Sequence, residues 1–190
     1  MAVNLMNAPK MIWSSHEGWP ELAKQHPSVM ATFFKVVLPL SLLPVAMILY
    51  AATWHRTVYA PDTTLMDWVG ISLVFLLVEW GCVFAMGWLI QSVESRDHPL
   101  EYRDGFRLAA YAPIPIWLSS LSLFVPSPAL NVVVALLGLL ASGGLIYHGL
   151  DGWFQHDESL TTVSRAYTIF SFGALIWALV VAILVVPLLL

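Results

Sequence analysis

Residues 68–91 read WVGISLVFLLVEWGCVFAMGWLIQ, with Glu79 the one charged side chain in the run. A helix rises about 1.5 Å per residue, so about 20 apolar residues cross a hydrocarbon core about 30 Å thick. The run therefore reads as a transmembrane helix. Four further stretches of comparable length flank it: 31–52, 106–125, 129–150 and 167–190. Together they predict an all-α polytopic membrane protein, a bundle of five transmembrane helices. Residues 1–30 form an amino-terminal tail and residues 31–190 the membrane domain. The environment this demands is a lipid bilayer.

Composition limits what else fits. The chain is 59% hydrophobic and 11% charged, and the loops between the spans are too short for a second, soluble catalytic domain. The formal charge of -4 comes with no basic stripe interleaved with aromatics, so nucleic-acid binding has nothing to rest on. Cys82, the single cysteine, has no partner for an internal disulfide and lies mid-span. Residues 1–30 lack the apolar core of a signal peptide, so the first span is expected to persist in the mature protein.

Orientation follows from the basic residues. With five spans, the tail shares a side with the loops after the second and fourth. That side carries Lys10, Lys24, Lys35, Arg96, Arg103, Arg107 and Arg165, and the other side only Arg56. Short loops are where the positive-inside rule operates, so the amino terminus is expected in the cytoplasm and the carboxyl terminus outside. Within the tail, Trp13, Trp19 and Leu22 share one face of a short helix that Ser14 or Ser15 caps. Tryptophan favours the headgroup layer, which predicts a short interfacial amino-terminal helix.

Prolines and small residues pattern the spans. Pro39 and Pro44 fall in the first, Pro113 and Pro115 in the third, Pro187 near the end of the fifth. Each removes a backbone donor and crowds the carbonyl four residues back. Pro113 and Pro115 release the carbonyls of Ala109 and Tyr111, which predicts a kinked third helix with the Tyr111 hydroxyl hydrogen-bonded inside the bundle. In the fourth span Asn131, Ala135, Gly138, Ser142 and Gly149 form one stripe; in the fifth, Ser171, Ala174, Ala178 and Ala182 form another. Small residues at this spacing let backbones approach closely, so both stripes are expected to be helix-packing surfaces.

Tyr111-Ala112-Pro113-Ile114-Pro115 resembles the Tyr-x-x-x-Pro signature of the Yip family, small membrane proteins named for interaction with Ypt/Rab GTPases. The tail segment Trp19-Pro20-Glu21-Leu22-Ala23, the element Tyr147-His148-Gly149-Leu150 and the later Ser164-Arg165-Ala166 are similar too. Two departures stand out: Ala110 replaces the glycine that usually precedes the tyrosine, and the Asp-Leu-Tyr-Gly-Pro element of eukaryotic members is absent. The resemblance thus implies the bacterial inner-membrane branch and carries over no role in vesicle traffic.

Glu79 is the residue most in need of an explanation, since a carboxylate at the bilayer centre is costly unless it is protonated or faces the bundle interior. Ser72, Cys82 and Met86 lie on its side of the helix. Three roles fit it: a neutral group hydrogen-bonded to a carbonyl that proline frees in a neighbouring helix, a proton or cation site, or a contact within an oligomer. Asp97, His98, Glu101 and Asp104, with His148, Asp151, His156, Asp157 and Glu158, make a polar loop cluster of ligand-type side chains. Their spacing matches no metal motif, so no metal and no cofactor is expected. Ser119, Ser120 and Ser122 lie away from every base except His55, which disfavours nucleophilic catalysis. The expectation is a non-catalytic organising or accessory subunit that packs against other membrane proteins or itself; the alternative is a small oligomeric channel or transporter working through Glu79.

Overall fold

The computed structural model describes residues 11, 12, 14–16, 18, 19, 22, 24, 27–59, 61–94, 100–154 and 159–185, and every regular element among them is helical. Helix α1 runs Val29–Trp54, followed by the single turn α2 (Arg56–Tyr59), α3 (Leu65–Glu94), α4 (Tyr102–Tyr111), α5 (Ile114–Ser119), α6 (Pro128–Phe154) and α7 (Ser159–Val180). Four of them, over Val29–Trp54, Leu65–Glu94, Pro128–Gly152 and Leu160–Ile183, are long and apolar enough to cross a membrane.

Local chemistry explains where these helices begin. Ser28 caps α1, its Oγ accepting the Ala31 N–H at 3.2 Å. Ahead of α3, Asp67 Oδ2 accepts from the Thr64 N–H at 2.9 Å and the Thr64 hydroxyl at 2.7 Å, while the Asp67 N–H returns to Thr64 Oγ1 at 3.3 Å. This is a reciprocal capping box. Within α1 the turn Phe33–Val37 widens to a π-helical one, in which the Leu38 N–H reaches the Phe33 carbonyl. Pro39 comes two residues after that turn and has no N–H to offer the ladder, the kind of local break at which a wide turn is found.

The third apolar stretch is built in pieces. α4 stops at Tyr111, Ala112 and Pro113 form a turn, and α5 begins at Ile114 and tightens into a 3₁₀ turn over Ser120–Phe124. Pro113 has φ -80° and ψ -3°, and its carbonyl receives the Trp117 N–H at 3.0 Å. Pro115 sits in the first turn of α5, where a missing N–H leaves no intrahelical bond unmade.

Backbones come closest where glycines meet neighbours. A Cβ placed on Gly105 of α4 would lie 2.6 Å from the Gly87 carbonyl oxygen of α3, and one on Gly87 would lie 2.9 Å from the Phe106 Cα. Likewise Gly138 of α6 abuts the Pro115 carbonyl and Ile116 of α5, and Gly143 abuts the Phe170 ring of α7. In lipid such close packing does the work that the hydrophobic effect does in water. The core it encloses includes Phe106, Leu108, Ile90, Leu150 and Ile169, none of them more than 1% exposed.

The amino-terminal segment belongs to that same core. Trp19, placed by its sequence in the headgroup layer, is wholly enclosed by protein, and its indole N–H donates to the Met11 carbonyl at 3.1 Å. Ser15 Oγ and His148 Nδ1 of α6 share a hydrogen bond at 2.9 Å. Arg107 of α4, also fully buried, donates to the Leu22 carbonyl. The segment lies on α6 where that helix has no side chains to obstruct it: Gly144 faces the Ile12 carbonyl, Gly149 the Trp19 ring and Gly152 the Ser15 carbonyl. Gly18, with φ +83°, makes the turn ahead of Trp19, a conformation that glycine alone adopts freely. Trp13, Pro20, Glu21 and Ala23 lie outside the described residues, as do Lys10, Arg96 and Pro187.

Candidate functional site: an intramembrane carboxyl beside a cavity

Glu79 stands midway along α3 and faces α5. Its Oε1 accepts the indole N–H of Trp117, a residue only 2% exposed. The partner is therefore a side chain, not a carbonyl freed by proline. Trp117 is one turn into α5, so the break at Ala112–Pro113 sets where that indole falls. Glu79 Oε2 is also buried, and it has no hydrogen-bond partner among the described residues.

Beside this pair lies a partly open cavity of about 140 Å³ between α3, α4, α5, α6 and α7. Its walls are overwhelmingly apolar and include Phe75, Cys82, Met86, Phe170 and Trp177 as well as Trp117. Glu79 and Ser142 of α6 are among the lining residues, and the Ser142 Oγ is buried and likewise without a partner among the described residues. Cys82 and Met86 thus share the Glu79 surface, whereas Ser72 is buried elsewhere along α3.

The other residues singled out in the sequence separate. Tyr111 is half-buried, and its hydroxyl makes no hydrogen bond among the described residues, contrary to expectation. Pro113 lines the cavity, and Pro115 presents its carbonyl to Gly138. Ala174 also lines the cavity, but Ala178 is exposed along α7. Asn131 ties loops together rather than packing helices: its Nδ2 donates to the Tyr59 hydroxyl, which itself donates to the Val125 carbonyl at 3.2 Å. Burial holds the Tyr59 phenol above its ordinary pKa, so it remains an O–H donor there. His55 Nε2 meets the Phe124 carbonyl at 3.2 Å nearby. Ser119 and Ser120 spend their hydroxyls on their own helix, donating to the Ile116 and Trp117 carbonyls at 2.7 and 2.6 Å.

At the opposite end, Glu101, Asp104 and His148 of the ligand-type cluster are each engaged with a separate partner. Arg165 of α7 donates to Glu94 Oε2 of α3 at 2.9 Å, both side chains nearly buried. Asp104 pairs with Arg107 at 3.3 Å and Glu101 with Arg103 at 2.8 Å, while His148 bonds Ser15. Asp97, His98, His156, Asp157 and Glu158 lie outside the described residues. Among the described residues no three His, Cys, Asp or Glu side chains come together as a metal cage.

The sequence reading missed Trp117. An indole N–H inside an apolar span needs an acceptor and Glu79 is the acidic side chain at mid-span, but that rule fits several tryptophans alike, among them Trp80, whose indole donates to Ser41 Oγ at 2.8 Å instead. No curated protein and no solved structure matches the chain. The profile of the Yip1 domain, however, matches residues 10–186, from the amino-terminal segment to beyond the π turn that ends α7. That covers far more than half of the 190 residues, and the chain belongs to the Yip family of membrane proteins.

Proposed function

We propose that this protein is a non-catalytic organising or accessory subunit of the bacterial inner membrane, acting by packing its helices against other membrane proteins or a second copy of itself. The observation that carries this is the state of α7. The rest of the chain covers only 11% of its apolar window, against 33% for α1. Ala178 and Ala182, spaced one turn apart, are exposed between the larger Leu175, Leu179 and Ile183. Small residues on an uncovered apolar helix permit close approach of another helix in lipid. Extraction of wild-type protein from native membranes into polymer-bounded lipid discs should retain specific companion chains, or a dimer. Ala178→Leu with Ala182→Leu should release them without lowering thermal stability. A wild-type protein that emerges alone, or companions indifferent to both leucines, would sink the proposal.

The accompanying topology has five crossings, with a membrane domain over 31–190 and the tail in the cytoplasm. The third crossing is the segmented path through α4, the Ala112–Pro113 turn and α5, a kinked helix. Its support is the sequence of neighbours along that path. The Leu100 carbonyl meets Gln91 near the end of α3, Phe106 lies on Gly87, Trp117 reaches Glu79, and the Phe124 ring sits 5.0 Å from that of Tyr50. The path thus runs antiparallel to α3 and ends beside the carboxyl-terminal end of α1. Reporter fusions at Lys24, Thr63, Asp97 and Leu190 should read inside, outside, inside, outside; a cytoplasmic carboxyl terminus would overturn the fifth crossing.

A further inference from the structure

The cavity beside Glu79 has a shape and a polarity that neither packing nor partner binding uses. Its volume of about 140 Å³ is close to that of an engineered apolar cavity of about 150 Å³ that takes up benzene. A single six-membered ring therefore fills it. The walls suit such a ring, because Phe75, Trp117, Phe170 and Trp177 are among the residues that line them. Yet a plain hydrocarbon leaves two deficits. Ser142, 6% exposed, has an Oγ with no partner among the described residues, and Glu79 Oε2 is in the same condition. Buried polar atoms left unsatisfied are destabilising, and a ligand that satisfies them recovers that loss.

We propose that this cavity binds a small membrane-dissolved amphiphile, a ring-sized apolar body bearing a hydroxyl group. A hydroxyl suits the site better than a pure donor or a pure acceptor. It can donate to a carboxyl oxygen and accept from the Ser142 hydroxyl at once, and it also serves if the carboxyl is the donor. Trp117 supports the arrangement by occupying Oε1, which leaves Oε2 as the carboxyl atom without a protein partner. The depth of Glu79, midway along α3, means the ligand arrives from the hydrocarbon phase, so a charged or strongly hydrated molecule is excluded.

The test uses the full chain in lipid nanodiscs, with fluorine NMR titrations of 4-fluorophenol and of 4-fluorotoluene, and empty nanodiscs to subtract partitioning into lipid. The two probes share a ring and a para substituent of similar size and differ in the hydroxyl. The wild type should show saturable binding of 4-fluorophenol, about tenfold tighter than that of 4-fluorotoluene. Ser142→Ala, which removes the hydroxyl without adding bulk, should shrink that preference to about two- or threefold. Gly173→Leu should abolish saturable binding of both probes. A Cβ at Gly173 meets no backbone within 4 Å, only the terminal methyl of Met86 at 3.5 Å, and both residues line the cavity that the added side chain is meant to fill. Wild-type nanodiscs that take up no more 4-fluorophenol than empty ones overturn the site, a result that depends on no variant folding. Equal affinity for the two probes overturns the hydroxyl, and undiminished binding in a folded Gly173→Leu overturns the cavity as the location.

Discussion

Gly105→Ala adds one methyl group to α4 at the closest approach between two helices, and its effect can be worked from the coordinates. The new Cβ would lie 2.6 Å from the Gly87 carbonyl oxygen, 3.0 Å from the Gln91 nitrogen and 3.4 Å from the Gln91 Cβ. Ordinary contact begins near 3.4 Å, so the gap to the carbonyl must open by about 0.8 Å. The atoms in the way are backbone, not the free end of a flexible side chain, so α4 has to move off α3 as a unit. Phe106, which fits against Gly87 and is fully buried, moves with it. Overpacking of this kind costs about 1–3 kcal/mol, and a backbone obstruction belongs at the upper end. Gly87→Ala, with 2.9 Å to the Phe106 Cα, belongs nearer the middle of that range, about 2 kcal/mol.

Gly81→Ala supplies the control. It lies in the same α3, and a Cβ there meets nothing within 4 Å. Alanine is the better helix former by up to about 1 kcal/mol, so this variant should equal or exceed the wild type. The double variant Gly87→Ala/Gly105→Ala should lose less than the two singles together, by about 1 kcal/mol, because one displacement of α4 makes room for both methyls. Equilibrium unfolding in mixed micelles with rising dodecyl sulfate reads all four proteins. A Gly105→Ala protein within about 0.5 kcal/mol of wild type, a value expected of unobstructed surface positions, would show that the two helices do not touch as described.

Three other perturbations have definite expectations. Arg165→Met removes the cation from a nearly buried pair with Glu94 and should cost about 3 kcal/mol in the same unfolding experiment, the low end for buried pairs because Arg165 keeps a little exposure; a loss under about 1 kcal/mol would assign the pair the weak energetics of a surface contact. Arg107→Met removes the donor to the Leu22 carbonyl and should speed limited proteolysis within residues 11–28 severalfold while the helices stay protected; unchanged cleavage would mean that Trp19 and Ser15 alone hold the segment. Glu79→Gln keeps an acceptor for the Trp117 indole and should leave the melting temperature within about 2 °C, whereas Glu79→Leu should lower it by several degrees, since an orphaned buried N–H costs about 1–3 kcal/mol. Liposomes holding either wild type or Glu79→Gln should pass no ions, and wild-type flux that disappears with Gln would favour a channel over an accessory subunit.

What the sequence made legible was the membrane class, the chemistry of individual residues and the punctuation by proline. Apolar length alone marks the four long helices, and Pro113 with Pro115 marks where α4 gives way to α5. Glu79 could be singled out because a carboxyl at that depth is anomalous without any knowledge of neighbours. Its partner could not, because naming Trp117 requires the register of α5 against α3, and the turn at Ala112–Pro113 resets that register. Stripes of small residues likewise identify a face but not what meets it. Gly138 receives α5 and Gly149 receives Trp19, while Ala178 is exposed along α7.

The pairing of Gly87 with Gly105 was the least legible contact of all, since neither stands in a small-residue stripe and they approach only once α4 folds back along α3. The same geometry explains why the amino-terminal segment could not be placed from its own residues. Tryptophans with a proline in a polar tail describe a headgroup-layer helix well, and nothing within that tail argues otherwise. The deciding features are elsewhere: Gly144, Gly149 and Gly152 open a channel along α6, and Arg107 and His148 point polar atoms into it. A buried arginine at that depth requires an acceptor, and a helix that places glycines at three positions on one side presents a bare backbone to whatever covers it. Taken together, those residues call for a segment of chain to lie there, and residues 11–22 are the segment that supplies the carbonyl, the hydroxyl and the ring.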